Sequence, residues 1–372
     1  MPSVDLPRWH LCVDGGGTAV KVVVASDQGH LSSATSGPCN VKSVGPQGAL
    51  ATILVATRRA LHQIPDLSLS HDNHDDSRFP PAGFFTSVWL ALAGILHQSD
   101  IDAFAPLAGP AFGFLPRDPA LRITNDGQLL GAPCLVMPHV DSAIALVAGT
   151  GSVALAFAKE PSGLELKLIG VDGGWGYLLG DEGSGFAVGR IAVRRLLAAH
   201  DAATTASLRD PAASRPPLLP LFANLLSTFR VDDAAGLVDR TYADHSLPTD
   251  AVPRSVTSSE SNRKLWMAAA APVVLAHAFD PLSVDDESAR VARSVVEEAI
   301  APLVDAVERL VGEHVDPSRA LLSLGGGMWR AGGYRDLLVK GLERRGLRFA
   351  EVAAVESAAA EGARALCAQA AP

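Results

Sequence analysis

Residues 11–26 read LCVDGGGTAVKVVVAS, and residues 144–158 read IALVAGTGSVALAFA. In each, a short apolar run enters a turn of glycine and threonine and a second apolar run leaves it, the signature of two strands joined by a glycine-rich loop. The arrangement occurs once in each half of the chain, which points to two related lobes; two unrelated hairpins give the same local pattern. Residues 49–64 carry apolar side chains at helical spacing, FFTSVWLALAG (84–94) reads as a buried strand ending in a turn, and LRITND (121–126) as a short strand with Asn125 and Asp126 at its end. Residues 186–200 and 287–313 have helical patterns, RALLSLGGG (319–327) is a strand ending on glycines, and the Ala-rich stretch 353–369 predicts a closing helix. The polar segments 68–83 and 201–220 read as loops or insertions. Strands alternating with helices make an α/β protein.

The chain has 372 residues, 48% of them hydrophobic, enough for two domains with separate cores. No apolar run approaches the ~20 residues of a bilayer span, and the N-terminus lacks the charged-then-apolar pattern of a signal peptide. A net charge of −9 gives no electrostatic reason to bind nucleic acid or an anionic membrane. Cys12, Cys39, Cys134 and Cys367 form no CxxC pair, which argues against a disulfide framework or a local zinc or iron–sulfur motif and fits a reducing, cytoplasmic setting. His71, Asp72, His74, Asp75 and Asp76 lack a regular ligand spacing and read as a solvated insertion.

Glycine is the informative excess. Of 34 glycines, eight fall between Gly170 and Gly189, where average usage of ~7% places one or two. In Asp14-Gly15-Gly16-Gly17-Thr18, glycines let backbone N–H groups converge on an anion, Thr18 adds a hydroxyl, and an aspartate before the loop can position magnesium against phosphate; an ordinary tight hairpin is the other reading. Gly149-Thr150-Gly151-Ser152 repeats the design, so two loops could clamp the phosphates of one nucleotide. Neither GxxxxGK[ST] nor a strand–GxGxxG–helix unit occurs. Gly325-Gly326-Gly327 offers a flat backbone surface for a purine or ribose, or a helix-capping turn. GGWGYLLGDEGSG (173–185) supplies backbone donors, the Trp175 face, and the Asp181 and Glu182 acceptors that a sugar needs, unless Trp175 is core and the acids cap a helix. Asp126 is a candidate general base or a simple turn aspartate.

Taken in order, these motifs resemble the N-acetylglucosamine kinase branch of the BadF/BadG/BcrA/BcrD ATPase family, within the actin/hexokinase/heat-shock-chaperone superfamily. DGGGT (14–18) is similar to its first phosphate loop, SGPCN (36–40) to its sugar-contact turn, and LALAG (90–94) to the strand end lining the sugar site. TND (124–126) is similar to the strand carrying the catalytic aspartate, AGTGS (148–152) to the second phosphate loop, GGWGYLLGDEGSG to the family's most typical block, and LGGG (324–327) to its adenosine loop. The matches run in family order from residue 11 to about 364.

The resemblance implies two actin-like (ribonuclease H-like) α/β lobes with the active site in the cleft between them. Lobe one would be residues 1–127 with the closing helix 353–369 packed back on it, and lobe two residues 128–350. It implies transfer of phosphate from ATP, with Mg2+, to the 6-hydroxyl of N-acetylglucosamine. Asp126 would be the catalytic base, with Asp141 its rival, and Asp14 would place the metal. Gly15, Gly16, Gly17, Thr18, Thr150, Gly151, Gly325 and Gly326 would bind ATP. Asn40, Gly94, Asp126, Gly174, Trp175, Gly176 and Asp181 would contact the sugar. The implied partners are an amino sugar and ATP, with no nucleic acid or membrane; a homodimer is admissible. The same motifs serve kinases of glucosamine or N-acetylmuramic acid. The wider family also holds ATP-driven electron-transfer activators of dehydratases and reductases, which need cysteines for a bridging cluster, whereas Cys12 falls in a core strand. A non-catalytic sugar sensor on the same fold is the remaining alternative, against which the intact loops and Asp126 speak.

Overall fold

Strand β1 (Trp9–Gly15) turns through residues 16–19 into the antiparallel β2 (Val20–Ser26), which pairs in turn with β3 (Leu31–Ser36). On the other side of β1 lie β4 (Phe85–Leu92) and β5 (Leu121–Thr124), both parallel to it, giving the order β3-β2-β1-β4-β5. The second sheet repeats this plan. β6 (Ser142–Ala148), β7 (Ser152–Lys159) and β8 (Leu166–Gly173) form the antiparallel meander, and β9 (Ala320–Gly325) and β10 (Glu351–Val355) add in parallel, giving β10-β9-β6-β7-β8. The repeated strand–turn–strand pattern is thus one visible piece of a five-strand unit present twice, in an α/β fold of two lobes. The computed structural model describes residues 6–64, 83–212, 214, 216–242, 259–279 and 286–370.

Side chains that alternate along a strand serve opposite faces of its sheet. Leu11 and Val13 of β1, with Val20, Val22 and Val24 of β2, meet α1 (Val41–Leu61) and α2 (Gln98–Phe112). Cys12, Val23 and Ala25 face the other way, onto α11 (Ala358–Gln369). Covering both faces explains why VKVVVAS is apolar apart from Lys21, which is only partly buried, and the terminal Ser26. In the second sheet, Ile144 and Leu146 face the large core built with α4 (Gly185–Arg209), α5 (Pro220–Phe229), α6 (Ala234–Tyr242), α7 (Ser259–Ala268), α8 (Ala271–Phe279), α9 (Asp286–Leu310) and α10 (Gly332–Arg344). Ala143 and Ala145 face Cys134 and Leu130. Between the sheets runs the short α3 (Gln128–Gly131), whose Leu129 packs into the first lobe's core while Leu130 packs into the second's.

Several local expectations change. α1 begins at Val41, eight residues before the periodic stretch, because Asn40 caps it; Gly45 at φ 74° and Pro46 interrupt the pattern in its first turns. Residues 201–209 continue α4 and Pro220 starts α5, so the loop between them is only 210–219. Residues 353–355 belong to β10, paired with β9, and the closing helix starts at Ala358 under a Ser357 cap. Strand pairing there overrides the helix propensity of alanine. The helix expected to reach residue 313 stops at Leu310. The proposed insertion at 68–82, with its histidines and aspartates, lies outside the described residues. Among the described residues no helix is long and apolar enough to cross a membrane.

Candidate active site

The C-terminal ends of β1, β4 and β5 carry the first group of candidate residues, and sheet register sets their spacing. Asp14 pairs with Ala91 and Ala91 with Thr124, so these three form one row across three strands, about 5 Å apart at each step. Beyond that row, four turns are knitted by the backbone. Gly16 N donates to Ala19 O at 3.0 Å, closing the DGGGT loop, and Cys39 N donates to Gly16 O at 3.0 Å, docking the GPCN turn onto it. Ala93 N donates to Gly15 O at 2.8 Å and Val41 N to Ala93 O at 3.0 Å, which brings in the LAG turn. Asn125 Nδ2 then donates to Ile95 O at 3.1 Å, attaching the turn that holds Asp126. Loops separated by up to a hundred residues therefore form one platform, with the amides of Gly17 and Thr18 and the Thr18 side chain left exposed.

Asp14 and Asp126 are the two carboxylates of this platform. Burial, reinforced by the negative charge of Asp126, pushes Asp14 up to about 6. Burial also raises Asp126, against the opposing effect of the amides near it, among them Gly127 N at 3.1 Å from its Oδ1. Neither has an ion-pair partner among the described residues. Two neighbouring half-buried acids, offset only by the Lys21 ammonium across the strand from Asp14, are a costly arrangement that a divalent ion relieves. Magnesium typically takes one or two carboxylates and completes its shell with water and substrate phosphate, so Asp14 beside Asp126 fits it.

At the GPCN corner of the platform, Asn40 Oδ1 accepts from Lys42 N at 3.0 Å and lies so near Gly94 that a Cβ there would sit 2.7 Å from it. Gly94, at φ 89°, is therefore excluded from carrying a side chain by both space and conformation. Asp100, which the sequence reading passed over, fixes this corner: it accepts from Leu96 N at 2.9 Å and His97 N at 3.0 Å and pairs with Lys42 Nζ. An acidic residue three positions after the residue that opens a helix is a legible signal for such a role.

In the second lobe, the turn 149–151 joins β6 to β7, with the Thr150 side chain exposed. Gly185 N donates to Gly149 O at 2.7 Å and Ser152 Oγ donates to Glu182 O at 2.6 Å, so the GDEGS segment clasps the turn. Gly326, at φ 100°, lies against it from the other side: a Cβ would meet Ala148 O at 2.4 Å. Gly325 packs on Leu130, directly beyond the Asp126 turn. Asp126 itself lies at the junction of the lobes, because Asn125 bonds to the first and Gly127 packs on Leu155 of β7 in the second.

Three candidates have telling placements. Asp141 precedes β6 at the end opposite the 149–151 turn and pairs with Arg319 at 2.7 Å, a surface ion pair away from that turn. Trp175 is 68% exposed, which removes the core alternative, and Gly174 and Gly176 flank it at φ 77° and 79°. Asp181 is buried, with Oδ1 accepting from Ser152 N at 3.0 Å and Oδ2 paired with Lys264 Nζ at 2.8 Å. It braces the 149–151 turn, and contact with a sugar would require it to leave those partners. Lys264 belongs to no motif, and only the tertiary structure brings it here. Cys12 and Cys134 lie in separate cores.

No protein-family model matches the chain. An N-acetyl-D-glucosamine kinase of Dictyostelium discoideum is 26% identical over 197 residues, 51% of this chain and 54% of that protein, so the match spans about half of the relative's length. A solved chain from Chromobacterium violaceum described as a candidate N-acetylglucosamine kinase superposes with a TM-score of 0.55 at 22% identity, covering 96% of this chain and 99% of its own. Another of that description, from Porphyromonas gingivalis, gives 0.54 at 18% identity, covering 96% and 98%. The chain thus has the two-lobed fold of these solved chains and, over about half its length, the sequence likeness of an N-acetylglucosamine kinase.

Proposed function

We propose that the chain is a kinase that transfers the γ-phosphoryl group of ATP to the 6-hydroxyl of N-acetyl-D-glucosamine, giving N-acetylglucosamine 6-phosphate and ADP. The observation that carries this reading is the placement of Asp126. It is a half-buried carboxylate of raised pKa, beside Asp14, on the turn where one lobe meets the other. The likeness to a curated kinase of that sugar supports the substrate.

In this reading Asp126 accepts the hydroxyl proton as the sugar oxygen attacks in line. The exposed amides of Gly17 and Thr18 and of Thr150 and Gly151, with the two threonine hydroxyls, hold the phosphates, one loop from each lobe, and Gly15 and Gly16 shape the first loop. Gly325 and Gly326 present bare backbone to the adenosine. Asn40, Gly94, Gly174, Trp175 and Gly176 orient the sugar, while Asp181, held by Ser152 N, braces the second phosphate turn instead. Asp14 would hold magnesium, which supplies charge neutralisation on the phosphates when bound. We take residues 1–127 with the closing helix as one lobe and the second as 128–350, extended by β10. Positioning is most of the catalysis in such a site, so the lobes close when both substrates are present.

The test is ADP release by purified protein with ATP and Mg2+ against N-acetylglucosamine, glucosamine and N-acetylmuramic acid, with 31P–1H correlation NMR locating the phosphate on the product. Release led by N-acetylglucosamine with phosphate on O6 is expected. Release with another sugar only, or phosphate at another oxygen, overturns the substrate or the regiochemistry; no release with any sugar overturns the kinase reading.

A further inference from the structure

We infer that Lys264, on α7, is a ligand of the nucleotide's phosphates, completing the second phosphate turn from an element that carries none of the sequence motifs. The inference rests on the kinase reading above and names a residue that this reading lacks. A Cβ built on Gly151 would lie 2.6 Å from Lys264 Nζ and 2.7 and 2.8 Å from the two Asp181 carboxylate oxygens. The glycine of the turn is therefore the floor on which the ammonium and the carboxylate both rest, and no larger residue fits there.

The two partners differ in freedom. Asp181 is fixed: its side chain is 4% exposed, Oδ1 holds Ser152 N, and its backbone sits at φ 60°, a left-handed conformation uncommon for a non-glycine residue. Such strain is retained where surrounding structure enforces it, commonly at functional sites. Lys264 is 26% exposed on a flexible four-carbon stem, so the cation can move toward an anion while the carboxylate stays. An anion arriving at the turn meets the amides of Thr150 and Gly151, which donate to none of the described residues, the exposed Thr150 hydroxyl, and this ammonium. In the ligand-free protein Asp181 keeps the lysine neutralised and poised over the turn. A di- or triphosphate is a stronger acceptor for it than one carboxylate already bonded to an amide.

Calorimetric titration of the full-length protein with ADP and with AMP separates this from a lysine that merely neutralises a buried acid. Lys264→Met is expected to weaken ADP by ~10–100-fold, the worth of a hydrogen bond to a charged group. It should leave AMP, which lacks the distal phosphate, within about twofold, and Lys264→Arg should keep most of the ADP affinity. Lys264→Met combined with Asp181→Asn removes the orphaned carboxylate. If the lysine contacts phosphate, the double variant remains weak for ADP. Unchanged ADP affinity in Lys264→Met, or its recovery in the double variant, overturns the inference and leaves the kinase reading standing. Wild-type protein that binds no nucleotide removes both.

Discussion

Asn125 is bonded in two directions at once: its Nδ2 donates to Ile95 O at 3.1 Å, and its Oδ1 accepts from Gly127 N at 3.0 Å. One side chain thereby ties the turn after β5 to the turn after β4 and holds Asp126 between them. Asp126→Asn should leave ADP and sugar affinities nearly unchanged and lower kcat by ~10²–10⁴, the usual worth of a general base. Asn125→Ala should lower kcat less, by about tenfold, since it misplaces the carboxylate without removing it. Near wild-type turnover in Asp126→Asn, measured in a coupled assay, would assign the base elsewhere.

Asp14 carries a pH signature. Its carboxyl titrates at about 6 in the folded protein against 3.8 for the ordinary side chain, raised by burial and then by Asp126. The folded state therefore holds this proton more tightly than the unfolded one. Stability from this group falls as pH rises from about 4 to 6, and the loss is complete above that. In EDTA, Asp14→Asn should unfold above wild type at pH 7.5 by up to about 3 kcal/mol, with the gain vanishing below pH 4, while activity is lost. Scanning calorimetry across that range checks it; a variant less stable than wild type at pH 7.5 contradicts the account.

Asp100 has the opposite sign. The Lys42 ammonium, then the amides of Leu96 and His97, hold its carboxyl down at about 2. Its contribution is present above the ordinary carboxylate range and is lost as pH falls toward 2. Because Lys42 neighbours Asn40 and Leu96 follows Gly94, Asp100→Ala should loosen the sugar corner. The KM for sugar should rise by roughly fivefold, the equivalent of one lost helix cap, with ADP affinity untouched. An unchanged sugar KM would separate this corner from the substrate.

Trp175 is the exposed tryptophan of the five in the chain; Trp9, Trp89, Trp266 and Trp329 are buried. Acrylamide should therefore quench mainly Trp175 in the free protein, and saturating N-acetylglucosamine should shield it. Trp175→Phe should abolish that response. Shielding that survives in Trp175→Phe would place the change at another ring.

The glycine loops were legible because their chemistry is local. A turn that leaves amides pointing outward needs small residues in consecutive positions, and DGGGT and GTGS show that without reference to the rest of the chain. The start of α1 was not legible, because Gly45 and Pro46 break the periodicity that Asn40 had already capped. β10 was hidden for a different reason: its alanines favour helix in isolation and become strand only by pairing with β9.

By itself the sequence determined the α/β class, the doubled strand–turn–strand plan and most of the loops that meet at the site, since each follows from side-chain alternation and backbone sterics within a few residues. Tertiary structure alone decided that Asp14 and Asp126 share a site, that Asp141 is taken up by Arg319, and that Asp181 faces Lys264. Those facts depend on sheet register and helix packing between segments as far as 178 residues apart, and short-range patterns carry no record of such distances. Burial then sets the charge state of Asp14, a property that exists only once the strands around it have closed.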